Sequence, residues 1–303
     1  MLNRRILRIK AFKAVYSYAE NPGMTLKDTE AYLEQSCEYT RDLYLFMLSI
    51  IGPLTAEAKA RIEASRSKFN PTEEELHPNL KFTENLIAPL LAQDPDFNKL
   101  ISRKKMSWDQ YDMLLRHLYE KIRSRKYFQD YLASGERSIA EDARLWVRIF
   151  EREFEDNAEL EEILGDLSMF WSDDLSYALI WCCRTLRSLG EGSQWSLPAL
   201  YQSDINGSSQ SDTAFVTGIV RTAYANYQKY ASMVSEAAPK WDGDRICATD
   251  LSLIVCGLAE FDTFPAIGCR TIINEYVEIS KYYSTPESHA FVNGLLDKLI
   301  NKR

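Results

Sequence analysis

The stretch Ile273-Asn274-Glu275-Tyr276-Val277-Glu278-Ile279-Ser280-Lys281, followed by Ser288-His289-Ala290-Phe291-Val292-Asn293-Gly294-Leu295-Leu296-Asp297-Lys298, decides the fold. Apolar residues recur at three- and four-residue spacing in both segments, which is the signature of amphipathic helices. Ser284-Thr285-Pro286 separates them as a short joint. Ile272, Ile273, Val277 and Ile279 read as the apolar face of the first helix. Asn274, Glu275 and Glu278 project from the other side. Asn274 is expected to hydrogen-bond neighbouring backbone.

Working outward, almost every segment reads as helix, and no run alternates with the period of two that marks a strand. The expected fold is all-α. Thr25 with Asp28, Thr72 with Glu75, and Ser138 with Glu141 have the spacing of capping boxes. Gly52-Pro53, Gly135, Gly190 and Gly192 are stop signals. The segment 190–211, rich in glycine, serine and turn formers, is the clearest boundary. It divides an N-terminal helical region, 1–211, from a C-terminal helical bundle, 212–303. Asp212 is placed to cap a helix running to about Ala237, and a second helix is expected from about Asp250 to Glu260. Phe264-Pro265 and Gly268 form the next joint.

The chain has 303 residues, 46% of them hydrophobic and 26% charged, the balance of a soluble globular protein. Its net charge of −8 means that any nucleic-acid contact must come from a local patch and not from a global field. No run approaches the roughly 20 apolar residues that span a bilayer. The opening residues lack the apolar stretch of a signal peptide, so a cytoplasmic protein is expected. Six cysteines without C-x-x-C spacing read as reduced, buried thiols, with no metal site. The three histidines, His77, His117 and His289, have no nucleophile context, and no P-loop or dinucleotide fingerprint is present. An enzyme and a bound cofactor are not expected.

A basic helix opens the chain. Arg4, Arg5 and Arg8 fall on one arc of about 100°, while Leu2, Ile6, Ile9 and Tyr16 fall on another. Three guanidinium groups on one face suit successive phosphates. A solvated basic face is the commoner use of such a pattern. Asp250 reads equally as a helix cap and as an acidic contact. Phe291 reads either as a core aromatic or as a ring that stacks on a base.

Between the two ends lie about 190 residues. Within them, Arg103-Lys104-Lys105, Trp108, Tyr111, Arg116, His117, Tyr119, Lys121, Arg123, Arg125, Lys126 and Tyr127 mix basic residues with aromatics. The interleaved Asp109, Asp112, Glu120 and Asp130 favour a mixed-charge helix with buried aromatics over a nucleic-acid path. The following run, Glu151 to Glu162, is acidic and is expected to form a solvated face. Trp171, Trp181, Cys182 and Cys183 read as core.

Taken together, the arginine helix ending in Ala14-Val15-Tyr16-Ser17-Tyr18, the Asn274-Glu275 pair and the Phe291-Val292-Asn293-Gly294 motif closely resemble the NusB family of transcription antitermination factors. The resemblance covers residues 1–20 and 212–301. Phe215-Val216-Thr217-Gly218-Ile219, Trp241, Arg245 and the helix from Asp250 to Glu260 also resemble family segments. This sequence departs from the family at Ile6, Ile9 and Ala259. The resemblance implies NusB-like helical bundles, the first enlarged by an insertion at about 21–211 and similar to Bacteroidetes-type forms. It implies binding of a boxA-like single-stranded RNA together with the ribosomal protein NusE, in an RNA polymerase antitermination complex. It implies Arg4, Arg5, Arg8, Glu287 and Phe291 as RNA contacts, and Tyr16 and Asp250 as NusE contacts. A helical scaffold that binds a basic ribosomal protein without RNA is the alternative.

Overall fold

The computed structural model describes residues 1–21, 23–202, 211–238 and 246–301. Among these the chain is all-α and has no strand. The helices are α1 (Arg4–Glu20), α2 (Leu26–Ser49), α3 (Ile51–Arg66), α4 (Glu73–Leu76), α5 (Ile87–Gln93), α6 (Pro95–Arg103), α7 (Asp112–Arg123) and α8 (Lys126–Ala133). They continue as α9 (Ile139–Ile149), α10 (Ala158–Leu167), α11 (Leu175–Gly190), α12 (Asp212–Ala237), α13 (Ala248–Thr263), α14 (Cys269–Tyr283) and α15 (Ser288–Ile300). A π-helical turn, Phe150–Phe154, extends α9.

Local chemistry sets several helix starts. Thr25 and Asp28 exchange hydrogen bonds, with the Asp28 amide donating to the Thr25 hydroxyl at 3.2 Å. Thr72 and Glu75 form a complete capping box. Ser138 accepts from the Glu141 amide, but the Glu141 carboxylate turns instead to Lys81 at 2.8 Å. Ser211, not Asp212, caps α12. Gly52-Pro53 does not end a helix: α2 stops at Ser49, and proline is accommodated in the first turn of α3, whose amides have no partners within the helix.

The chain divides into two compact units, and the cut is not the expected one at residue 211. Residues 1–38 and 199–303 form one unit, and residues 39–198 form the other. The reason is that α1 packs on α12, α13 and α14 and so joins the C-terminal bundle. In this first unit α13 is the central helix, with every residue from Ser252 to Glu260 buried. It packs against α1, α12, α14 and α15. Gly257 permits this closeness, because a Cβ there would lie 2.8 Å from Leu296 Cδ2 of α15. Gly218 does the same on α12, where a Cβ would meet the Phe264 ring at 2.9 Å.

The second unit has its own core, which includes Tyr44, Phe82, Phe128, Trp146, Phe150 and Phe154. Trp108 stacks on Phe46 at 4.1 Å and donates to the Phe46 carbonyl. The basic aromatic stretch is a mixed-charge surface, in which Trp108 and Tyr119 are buried and Tyr111 and Tyr127 are half-buried. Lys104 pairs with Asp42, Lys126 with Asp130, and Arg123 with Glu120. The acidic run is not wholly a solvated face, because Glu153 is fully buried and pairs with Lys121 and Arg125. Trp171, Cys182 and Cys183 are core, while Trp181 is half-buried beneath Arg184. The thiols are all free, but Cys247 is exposed, contrary to expectation.

One stretch, Leu26–Arg66, is long and apolar enough to cross a membrane by length and composition. It breaks between α2 and α3, and 56% of its apolar window is buried inside the protein. The core of the second unit accounts for that composition: Leu43 to Leu48 are all buried.

Candidate nucleic-acid interface

The N-terminal arginines all lie in the first unit, and each faces a carboxylate. Asn3 caps α1 by accepting from the Ile6 amide. The helix then presents Arg4, Arg5 and Arg8 in succession to α12, α13 and α14. Arg5 makes a two-pronged bond to Glu275, with Nε and Nη2 at 2.9 and 2.8 Å from its two oxygens. Arg4 lies 3.8 Å from Asp212, and its guanidinium sits 4.6 Å from the centre of the Phe215 ring.

Arg8 departs most from expectation. It is 5% exposed, and its Nε and Nη2 grip Glu260 at 2.9 and 2.6 Å. Tyr276 donates its hydroxyl to the same carboxylate at 3.0 Å, and Glu275 lies 3.6 Å from Arg8 Nη1. Burial penalises the Arg8 cation, yet bonding to Glu260 outweighs it, so the guanidinium is held charged above its ordinary pKa. Burial, then the Glu260 charge, pushes the Tyr276 hydroxyl far up, and it stays a neutral donor. Arg8 is therefore an internal anchor between α1 and α13, and it is not available to a phosphate. Its fork geometry suits a buried carboxylate as well as it would suit an RNA backbone.

Asp250 is internal as well. It is buried in the first turn of α13, where Cys247 holds the cap position. One oxygen accepts from the Ser288 hydroxyl at 2.8 Å, and the other has no hydrogen-bond partner among the described residues. Asp250 thus links α13 to the start of α15 from a buried position.

The remaining candidates are accessible. Arg5, Glu287 and Asn274 are exposed, and Arg4, Tyr16 and Phe291 are half-buried. Contacts between α1 and α14 advance in step. Arg5 meets Glu275, and eight residues later Lys13 lies 5.4 Å from the Tyr283 ring, with Phe12 5.6 Å from the same ring. The two helices thus run parallel, and their seam carries cations and aromatic rings. Tyr16 continues it, 6.2 Å from Phe12. Phe291 sits on α15, which packs on α13 and α14 but not closely on α1. The structure therefore places the arginines and Phe291 in one bundle without bringing them into direct contact. Trp241 and Arg245 lie outside the described residues.

Glu275 and Glu260 are the residues whose role was least visible in the sequence. Glu260 directly follows the mostly apolar run 251–259, and a glutamate so placed signals a buried cation partner, because an unpaired buried charge is too costly to keep. Arg8 is that partner.

Comparison with known proteins agrees with this architecture. The NusB family model matches residues 189–301. Three relatives are named transcription antitermination protein NusB. That of Natranaerobius thermophilus is 31% identical over 29% of this chain and 63% of its own length. That of Syntrophotalea carbinolica is 33% identical over 28% of this chain and 54% of its own. That of Chloroherpeton thalassium is 32% identical over 29% of this chain and 42% of its own. The match thus spans less than two thirds of each of these relatives. No solved structure matches the chain. Residues 189–301 are thus similar to the NusB family, and residues 1–188 lie outside that match.

Proposed function

We propose that the protein is a non-catalytic, cytoplasmic RNA-binding factor of transcription antitermination. It binds a boxA-like single-stranded leader RNA together with ribosomal protein NusE, within an RNA polymerase antitermination complex. The observation that carries this reading is the packing of an arginine helix, α1, onto the region similar to the NusB family, with Arg4 and Arg5 at the surface. Unpaired RNA offers both phosphates and base faces. Arg4 and Arg5 contact phosphates, Phe291 stacks on a base, Glu287 borders the RNA, and Tyr16 faces NusE. Such stacking is worth about 1–3 kcal/mol per base.

An RNA shift assay at several salt concentrations, with and without NusE, tests the reading. Single-stranded RNA loses about 0.7 in the log–log salt slope per phosphate contact removed, so Arg4→Ala with Arg5→Ala should lower the slope by about 1.4. An unchanged affinity and slope would overturn the RNA surface. A second reading, a scaffold that binds a basic ribosomal protein without RNA, is favoured by the −8 net charge and by the carboxylate facing each arginine. It predicts NusE binding with no RNA shift.

A further inference from the structure

The inserted unit carries a second cluster of cations, distinct from α1. A concavity of about 690 Å³ is lined by Arg125, Lys126 and Tyr127, by Arg148 of α9, and by Arg152 of the π turn. Arg148 also lines the two neighbouring concavities, so it stands on the ridge between them. Arg148 and Arg152 are exposed, and neither belongs to an ion pair among the described residues.

The acids beside them are mostly engaged. Glu151 is held by Arg187 at 2.6 Å, and Glu155 accepts from the Ser176 hydroxyl at 3.1 Å. Glu153, fully buried beneath, is neutralised by Arg125 at 2.9 Å and Lys121 at 3.2 Å. Lys126 is matched by Asp130. Four cations, Arg125, Lys126, Arg148 and Arg152, then line the concavity against three carboxylates, Glu151, Glu155 and Asp156, and Glu151 is paired with Arg187 outside that lining. The same Glu153 accepts from the Tyr127 hydroxyl at 3.0 Å, which fixes that half-buried ring as a wall of the concavity.

The backbone here is unusual as well. The cluster spans a π-helical turn, with Arg148 before it and Arg152 within it, and Asp156 just beyond has φ of 55°, a conformation uncommon outside glycine. Both features are kept where surrounding contacts over-determine them, and they concentrate at functional sites.

We infer that this concavity binds phosphate groups of a single-stranded nucleic acid, with Arg148 and Arg152 on the phosphates and the Tyr127 ring against a base. The identity of the polymer rests on the RNA-binding function proposed above; the anion site itself does not. It gives the inserted unit, which lies almost wholly outside the family match, a nucleic-acid contact of its own.

The test uses the full chain and two double variants, Arg148→Ala with Arg152→Ala and Arg4→Ala with Arg5→Ala. Binding of single-stranded polyuridine is measured across a salt series. Each double variant should reduce the slope by about 1.4, and the fourfold variant by about 2.8. Thermal midpoints should stay at the wild-type value for Arg148→Ala with Arg152→Ala, because both side chains are exposed and unpaired. In a second arm, inorganic pyrophosphate should shift the side-chain NMR resonances of Arg148 and Arg152. A wild-type slope in the Arg148/Arg152 variant overturns the nucleic-acid site here and leaves the α1 surface standing. A wild-type slope in the Arg4/Arg5 variant alone does the reverse. Arginine resonances unmoved by pyrophosphate overturn the anion site whatever RNA does.

Discussion

At the scale of single residues, Arg8 shows how one side chain changes role with its surroundings. On α1 it shares an arc with Arg4 and Arg5, and that pattern reads as a phosphate-binding face. In the fold its guanidinium is buried against Glu260 with Tyr276 completing the site. Removing one partner of a buried ion pair strands the other, at a cost of about 3–5 kcal/mol. Arg8→Met should lower stability by that amount in urea titrations, and adding Glu260→Gln should restore part of it. A wild-type midpoint for Arg8→Met alone would remove the anchor assignment. Glu275 makes a prediction in pH. Its bond to Arg5 holds the carboxyl below the ordinary value of 4.5. The folded pKa is depressed, so the contribution is complete above that unfolded value and disappears as pH falls through the folded one. Arg5 is largely exposed, which limits the effect to about 1 kcal/mol. Glu275→Gln should melt below wild type near pH 7, with the gap closing as pH falls below the ordinary carboxylate range. A gap that widens in acid would contradict the pairing.

At the scale of elements, helix ends were legible because their causes are local. Thr25 with Asp28 and Thr72 with Glu75 satisfy orphan amides three residues away, so residue identity and spacing were enough to find them. Gly52-Pro53 misled, because proline breaks a helix interior but is harmless in a first turn. Close helix approach was not legible. Gly190 reads as a stop, and it does end α11, yet it also touches α9: a Cβ there would lie 2.7 Å from Ala143 Cβ. Overpacking of this kind costs about 1–3 kcal/mol, against a gain of about 0.5–1 kcal/mol when alanine replaces glycine in a helix. Gly190→Ala should therefore be net destabilising, and Ala143→Gly in the same chain should recover the loss. Additive effects of the two changes in thermal melts would argue against contact between α9 and α11 at this point.

At the scale of the whole molecule, the chain leaves and re-enters one bundle. Residues 1–38 and 199–303 share a core although 160 residues of sequence separate them. The Tyr201 hydroxyl bonds the Cys37 thiol, so the two ends of the inserted unit meet within the first one. A chain that joins Glu38 to Ala199 through a short linker should keep a helical circular-dichroism spectrum and unfold cooperatively. A non-cooperative melt would show that the first unit needs residues 39–198. The sequence by itself determined the all-α class, several helix ends and the likeness of the C-terminal region to the NusB family, because these rest on periodicity, caps and motifs a few residues long. Only the tertiary structure decided that α1 belongs to the C-terminal bundle, that Arg8 and Asp250 are internal, and that Arg148 and Arg152 stand unpaired. Those outcomes depend on partners such as Glu260, 252 positions from Arg8, and Ser288, 38 from Asp250. Burial of a charge is settled by what packs against it, and local spacing carries no record of that.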